Sequence, residues 1–143
     1  MKPFLFALVF AVTVLSVFAA GTNTTSPSIA PDSRCFELRT YYVAPGKLEA
    51  LNARFRDHTC ALFKKHGMEI VGFWIPTDKE QGAENKLVYM LAHKSREAAK
   101  QSWKDFQSDP EWQKVRAESE ADGKLTEKIE SVFMAATDYS PLK

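Results

Sequence analysis

Two β-prone segments in the middle of the chain, residues 68–75 and 87–93, carry apolar side chains at nearly every position. Alternate residues of a strand point to opposite faces of its sheet, so such a run makes both faces hydrophobic. With strict alternation, the first segment points Ile70 and Trp74 to one face of the sheet, and Val71, Phe73 and Ile75 to the other. The second segment points Leu87, Tyr89 and Leu91 to one face, and Val88, Met90 and Ala92 to the other. Any fold of this chain must therefore shelter both faces of the sheet from water.

The remaining periodicity gives the order of the elements. Residues 36–43 and 129–135 are two further β-prone segments. A helix is predicted over residues 46–66, and a second one begins after Ser95 and restarts at Asp109, which precedes a proline. The order βαββαβ predicts a ferredoxin-like α+β fold with a four-stranded antiparallel sheet.

Two helices in this arrangement cover only one face of the sheet. Residues 35–143 contain no further element to cover the other face. A second copy of the chain is the simplest cover, so we expect a homodimer that pairs two sheets face to face as a dimeric α+β barrel.

The first residues indicate export. Lys2 precedes an apolar run that ends in small residues at positions 19–21, which is typical of a cleaved signal peptide over residues 1–20. An uncleaved membrane anchor is the alternative, although about 16 apolar residues fall short of a spanning helix. Residues 21–34 are rich in Ser, Thr and Pro, which favours a flexible linker before a domain at 35–143. We expect a periplasmic or secreted protein with no membrane contact after cleavage.

The charge balance argues against a nucleic-acid partner. The chain has 19 Lys and Arg against 18 Asp and Glu, and the two signs are interleaved. A protein that binds phosphate backbones normally has a clustered surplus of positive charge.

Cys35 and Cys60 are the two cysteines of the chain. Cys35 begins the first strand and Cys60 lies late in the helix that runs back beside it, so both fall near the same end of the domain. An oxidising compartment permits a disulfide between them, but Cys60 lies to the side of the apolar helix stripe. A bridge and two free thiols both remain open.

The candidate ligand-binding residues come from strand parity and from aromatic content. Glu37, Arg39 and Tyr41 share one face of the first strand, where the arginine fork could hold an acidic ligand or pair with the glutamate. The aromatic side chains expected to line an apolar pocket, or simply to fill the core, are Trp74, Tyr89 and Trp103.

His58, close to the apolar stripe of the first helix, is the candidate catalytic base, with a core-edge histidine as the structural alternative. The spacings of His58, His66 and His93 match no zinc pattern, and no motif for another cofactor is present. We therefore expect neither a metal nor a cofactor.

Several spaced motifs resemble the NIPSNAP family across residues 36–141. They are FELRTY at 36–41, PGKL at 45–48, HG at 66–67, GFW at 72–74, the segment from Ser102-Trp103 to DPEW at 109–112, and DYSP at 138–141. The resemblance implies a dimeric α+β barrel, and it implies little about activity. We expect a homodimeric domain that binds a small ligand or a protein partner. The alternative is a cofactor-free monooxygenase or isomerase acting on a hydrophobic substrate, with His58 as base and Arg39 orienting the substrate.

Overall fold

The computed structural model describes residues 25–143, so the expected signal segment and the first four residues of the expected linker lie outside the described residues. The regular elements in chain order are β1 Cys35–Val43, α1 Leu48–Arg54, a π-helical turn Phe55–Thr59, α2 Cys60–Lys65, β2 Glu69–Trp74, a 3-10 turn Lys79–Gln81, β3 Lys86–His93, α3 Arg96–Ser108, α4 Pro110–Ser119 and β4 Thr126–Ala135. Among the described residues, no helix is long and apolar enough to cross a bilayer.

The strands form one sheet in the order β2-β3-β1-β4, and all neighbouring strands are antiparallel. With the helices on one face, this confirms the predicted ferredoxin-like α+β fold. The predicted break between α3 and α4 is also confirmed, because Asp109 caps α4 by accepting a 2.8 Å hydrogen bond from the Glu111 backbone N–H, and Pro110 takes the first helical position.

The hydrophobic core lies between the helices and one face of the sheet. Its centre is aromatic. The ring centroids of Phe55, Phe63 and Tyr89 lie 5.3 to 6.1 Å from one another. Edge-on and tilted arrangements at these distances are favourable for aromatic pairs. Tyr41 and Leu91 complete this layer from β1 and β3.

A bulge in β2 changes which side chains reach the core. Ile70 pairs with Leu91, but the next pair is Gly72 with Met90, so one extra residue stands between them. As a result Ile70 and Phe73 both face the helices, and Trp74 faces the other way. The strict alternation predicted for this strand, which put Phe73 opposite to Ile70, is therefore wrong.

The sheet face away from the helices, here called the open face, is apolar but only partly covered. At one end Phe36, Ala92 and Ala136 form a small buried cluster. Trp74 on the edge strand β2 is 51% exposed, and Val132 on the opposite edge strand β4 is 55% exposed. The other end of the open face is polar, since Glu130 there contacts Tyr42 and Lys128. The predicted two-sided hydrophobic sheet is therefore present except at that end.

The two ends of the described chain provide the partial cover. The C-terminal tail brings Leu142 next to Phe36 and Met90 on the open face, and Arg34 Nε donates a 2.7 Å hydrogen bond to the carbonyl of Lys143. Ile29 forms a β-bridge with Thr137, and Ala30 is buried. Ile29 and Ala30 therefore pack on the domain, whereas residues 25–28 and 31–32 are exposed. The flexible linker expected over 21–34 stays a prediction.

Candidate functional site

Glu37 lies at the centre of a buried polar cluster on the helix-facing side of the sheet. Its side chain accepts hydrogen bonds from Trp103 Nε1 at 2.6 Å, Ser131 Oγ at 2.7 Å and Arg39 Nη1 at 2.9 Å. His93 Nε2 lies 3.1 Å from Glu37 Oε2. The cluster joins β1, β3, β4 and α3, so all four elements position the same carboxylate.

The partners of Glu37 keep it ionised. The residue is 1% exposed, and burial by itself opposes ionisation. The hydrogen bonds from His93, Trp103 and Ser131, with the nearby charge of Arg39, outweigh that effect and lower the pKa of Glu37 to about 2. An ionised carboxylate can only accept, so His93 Nε2 carries the proton in this pair and donates it.

Arg39 is held by an ion pair with Glu37, but not all of its hydrogen-bond donors have a partner. Its guanidinium carbon lies 4.1 Å from the ring centroid of Trp103 and 5.7 Å from that of Tyr41. Its Nη1 is bonded to Glu37, whereas Nε is buried without a hydrogen-bond partner among the described residues. The side chain is 16% exposed. Because Nε is closed to solvent, a ligand could meet this fixed cation only through the part of the guanidinium that remains exposed.

Tyr41 and Tyr89 continue the cluster into the core. The Tyr89 hydroxyl donates a 3.1 Å hydrogen bond to the Tyr41 hydroxyl, and their ring centroids are 5.3 Å apart. Burial raises the pKa of Tyr89 well above its ordinary value, so its hydroxyl stays neutral at physiological pH. The two hydroxyls act as the polar floor beneath Arg39.

The helix side of β4 is uncovered next to this cluster. Ile129, Ser131 and Phe133 stand opposite Tyr41, Arg39 and Glu37, so they share the helix-facing side. Ile129 is nevertheless 43% exposed, and Ser131 is exposed as well. We call this strip, with Arg39 and Trp103 beside it, the β4 groove.

A second cation lies at one end of the β4 groove. The guanidinium carbon of Arg96, at the start of α3, lies 3.3 Å from the ring centroid of Phe133. Arg96 has no carboxylate within ion-pair distance among residues 25–143. The groove thus combines apolar side chains with two guanidinium groups and one neutralising carboxylate, which is the composition that suits an anionic, partly apolar ligand.

Two of the predicted site residues lie elsewhere. His58 is exposed and faces α4, beside Val115 and Ser119, because the wide π-helical turn moves it away from the sheet-facing stripe. Its expected place in a pocket under the helix is wrong. Trp74 lies on the open face because of the β2 bulge, so it does not join Tyr89 and Trp103.

The cysteines are both free thiols in the structure. Cys60 packs near Phe73 of β2, which is two strands away from β1, where Cys35 lies. Two interstrand spacings amount to about 9.5 Å, beyond the Cα separation of roughly 4.4 to 6.8 Å that a disulfide spans. The partner of Cys35 on β3 is His93, whereas Cys60 borders Leu87 and the Phe73 that pairs with Tyr89. Cys60 therefore lies towards the other end of the sheet, and the prediction that both cysteines lie at the same end is wrong.

Sequence reasoning missed His93 and Ser131 as members of the cluster. Parity on β3 places His93 on the same side as Tyr89 and Leu91, so its direction could have been predicted. Its proximity to Glu37 depends on the β1–β3 register, in which Glu37 pairs with Leu91. Ser131 required the β1–β4 register in the same way. Within the described part of the chain, no group of three or more His, Cys, Asp or Glu side chains is arranged to hold a metal ion.

The comparisons with known proteins agree with this architecture. The sequence model of the NIPSNAP family matches residues 36–141. No curated protein matches the chain.

Solved structures provide the spatial comparison. A NIPSNAP family protein of unknown function from Agrobacterium tumefaciens is 24% identical, with a TM-score of 0.70 over 81% of this chain and 99% of that chain. An uncharacterised NIPSNAP-like domain protein from Burkholderia xenovorans is 16% identical, with a TM-score of 0.66 over 77% of this chain and 90% of that one. A Streptomyces coelicolor monooxygenase in complex with the ligand Nanaomycin D is 16% identical, with a TM-score of 0.54 over 80% and 96% of the two chains. At these identities the likeness demonstrates a shared fold.

Proposed function

The chain is a member of the NIPSNAP family, and from that premise we propose that it is an exported, homodimeric domain whose β4 groove binds a small organic acid. The main support for an acidic ligand is the position of the Arg39 guanidinium and its contacts. Its guanidinium is fixed by Trp103 and Glu37, remains partly exposed, and borders an uncovered apolar strip. A pre-positioned guanidinium loses little conformational freedom on binding a carboxylate, which favours affinity.

The apolar side chains of the β4 groove indicate that the ligand also has an apolar part. Ile129 and Phe133 offer hydrophobic surface on either side of Ser131. Arg96, stacked on Phe133, adds positive charge without a carboxylate partner among residues 25–143. An aromatic carboxylate matches this arrangement, because its ring can pack on the strip while its charge meets Arg39.

The homodimer is supported by the open face. The exposed parts of Trp74 and Val132 are large apolar groups on a sheet surface that the chain's own tail covers only at one end. Soluble monomers rarely leave such a patch in water. A two-fold related copy can present the same face, which is how most soluble homodimers form. Export rests on the apolar N-terminal segment alone.

The enzymatic alternative has less support. It would need His58 and Arg39 to reach one substrate, but His58 faces α4 and Arg39 lies beneath α3. The monooxygenase with the same fold is only 16% identical, so its activity does not carry over to this chain. We therefore propose binding rather than catalysis.

The test is a calorimetric titration of residues 25–143 with 1-naphthoate and with its neutral counterpart 1-naphthamide. We expect 1-naphthoate to bind and 1-naphthamide to bind about tenfold more weakly, because only the carboxylate gains a charge-assisted contact with Arg39. Equal affinity for the two compounds, or no binding of either, would contradict the proposal.

Two variants locate the site. Arg39→Gln removes the cation, but it also leaves Glu37 without its ion-pair partner. Ile129→Glu avoids that problem, since Ile129 is half exposed and a carboxylate there repels the ligand. We expect both to weaken 1-naphthoate binding and Lys124→Gln, an exposed change in the loop before β4, to leave it unchanged.

A further inference from the structure

A concave site lies at the opposite edge of the sheet from the β4 groove, between α1 and the edge strand β2. This α1–β2 groove has a cavity volume of about 400 Å³, which falls within the range of about 300 to 1,000 Å³ that is usual for small-molecule sites. Its lining includes Phe55, Phe73, Ile75 and Leu87, with Arg56 and Cys60 on the helix side. It shares none of the residues of the β4 groove.

The walls of the α1–β2 groove are hydrophobic and reachable. Phe55 and Leu87 are buried core residues that present an edge to it, while Phe73 is half-buried and Ile75 is 40% exposed. The groove lies between Asn52 and Arg56 on the helical side and Phe73 and Ile75 at the end of β2. An elongated apolar group can lie along these side chains and remove them from water.

Arg56 is the cation of the α1–β2 groove. It is exposed on the π-helical turn, and no carboxylate lies within ion-pair distance of it among residues 25–143, whereas Arg34, Arg39 and Arg54 each have one. A guanidinium without a partner, at the mouth of an apolar recess, suits a ligand with one negative end.

Cys60 keeps the interior of the groove uncharged. Burial raises the pKa of its thiol, although Lys64 partly opposes this. A neutral thiol behaves as a small hydrophobic group, so it extends the apolar wall. The α1–β2 groove therefore has its single positive charge at Arg56, one further polar side chain at Asn52, and hydrophobic side chains elsewhere.

We propose that the α1–β2 groove binds a carboxylate with an aliphatic chain, its chain along Phe73 and Leu87 and its carboxylate on Arg56. This ligand is distinct from the aromatic acid of the β4 groove, and neither site depends on the other. A second copy of the chain is the competing occupant, because Trp74 borders both this groove and the open face.

The two free thiols supply the experiment. Alkylation of the purified protein by iodoacetamide, followed by peptide mass spectrometry, reports Cys60 and Cys35 separately. Decanoate, used below its micelle concentration, is expected to slow the alkylation of Cys60 about fivefold at saturation and to leave Cys35 unchanged. Decanol, which has the same chain without the charge, should require roughly tenfold higher concentration for the same effect.

Arg56→Gln tests the charge at an exposed position where folding is not at risk. It is expected to raise the decanoate concentration needed for half protection about tenfold, whereas Lys124→Gln should behave as the wild type. The proposal is overturned if decanoate protects neither thiol, if it protects both equally, or if Arg56→Gln has no effect. It is also overturned if the alkylation of Cys60 slows as the protein concentration rises but does not slow when decanoate is added. A second copy of the chain would then occupy the groove.

Discussion

The indole N–H of Trp103 donates a 2.6 Å hydrogen bond to Glu37 Oε2, which ties α3 to the centre of the sheet. The same indole ring carries the guanidinium of Arg39 on its face. One side chain thus positions both members of the Glu37–Arg39 ion pair. The position of Arg39, the candidate ligand-binding cation, therefore depends on the position of α3.

Replacing Glu37 by Gln should destabilise the fold strongly. The change removes the carboxylate that neutralises buried Arg39 and accepts from His93 and Ser131. We expect a loss of about 3 kcal/mol in the free energy of unfolding, typical of breaking a buried ion pair on one side. Urea denaturation measures it, with exposed Glu127→Gln as the control. A loss no greater than that of the control would mean that the cluster contributes little to stability.

The stability of the protein should fall in acid through Glu37. Its pKa in the folded state is about 2, against an ordinary value of 4.5. The folded state therefore holds the carboxylate in its ionised form more strongly than the unfolded state does. This contribution is complete above pH 4.5 and is lost as the pH falls towards 2.

Glu37→Gln is the variant that isolates this effect. Denaturation midpoints between pH 5 and pH 2.5 should decline less steeply in Glu37→Gln than in the wild type. Some slope should remain, since the pKa values of Asp109, Glu97 and Glu130 are also lowered. Parallel pH profiles for the two proteins would rule out the assigned role of Glu37.

Asp109 should be a stability determinant outside the ligand sites. It caps α4, and its Oδ2 lies 2.7 Å from His66 Nε2 and 2.8 Å from Lys65 Nζ. Asp109→Asn keeps an oxygen for the cap and loses the charge, whereas Asp109→Ala loses both. We expect the melting temperature to fall from wild type to Asn to Ala, by roughly 5 °C in total. Exposed Asp57→Asn should change it little, and an Asn variant as low as the Ala variant would assign the effect to charge alone.

Strand parity predicted the part of the site that lies on one strand. Glu37, Arg39 and Tyr41 share a face as expected, and the four strands pair in the ferredoxin-like order. These features follow from alternation and element order, which are local properties of the sequence.

The wrong predictions of site residues arose where the backbone departs from regular geometry. Contacts were missed where the register between strands determines which side chains meet. A π-helical turn moved His58 to the α4 side, and a bulge moved Trp74 to the open face. Neither insertion changes the hydrophobic pattern enough to be recognised in one sequence. The approach of His93 to Glu37 depends on strand register, which the separate segments do not encode.

The indole of Trp74 lies against Gly72, and this contact leads to a prediction about the open face. A Cβ atom at Gly72 would come within 2.8 Å of the ring, so Gly72→Ala must displace the indole. If Trp74 belongs to the dimer interface, Gly72→Ala should weaken the dimer, raising its dissociation constant about tenfold. Sedimentation measures this, and in a Trp74→Leu background the same change should have much less effect. Equal effects in both backgrounds would indicate that the glycine acts through the strand itself.

In the proposed homodimer, the open face of the sheet is buried by a second copy of the chain. The direct measurement is the molar mass of residues 25–143 by light scattering at micromolar concentration, for the wild type, Val132→Glu and Ile129→Glu. Both variants place a carboxylate at a half-exposed apolar position of β4, but Val132 is on the open face and Ile129 on the helix side. We predict a dimer for the wild type and Ile129→Glu and a folded monomer for Val132→Glu. A well-folded wild-type monomer, or a dimer that persists in Val132→Glu, would contradict the claim.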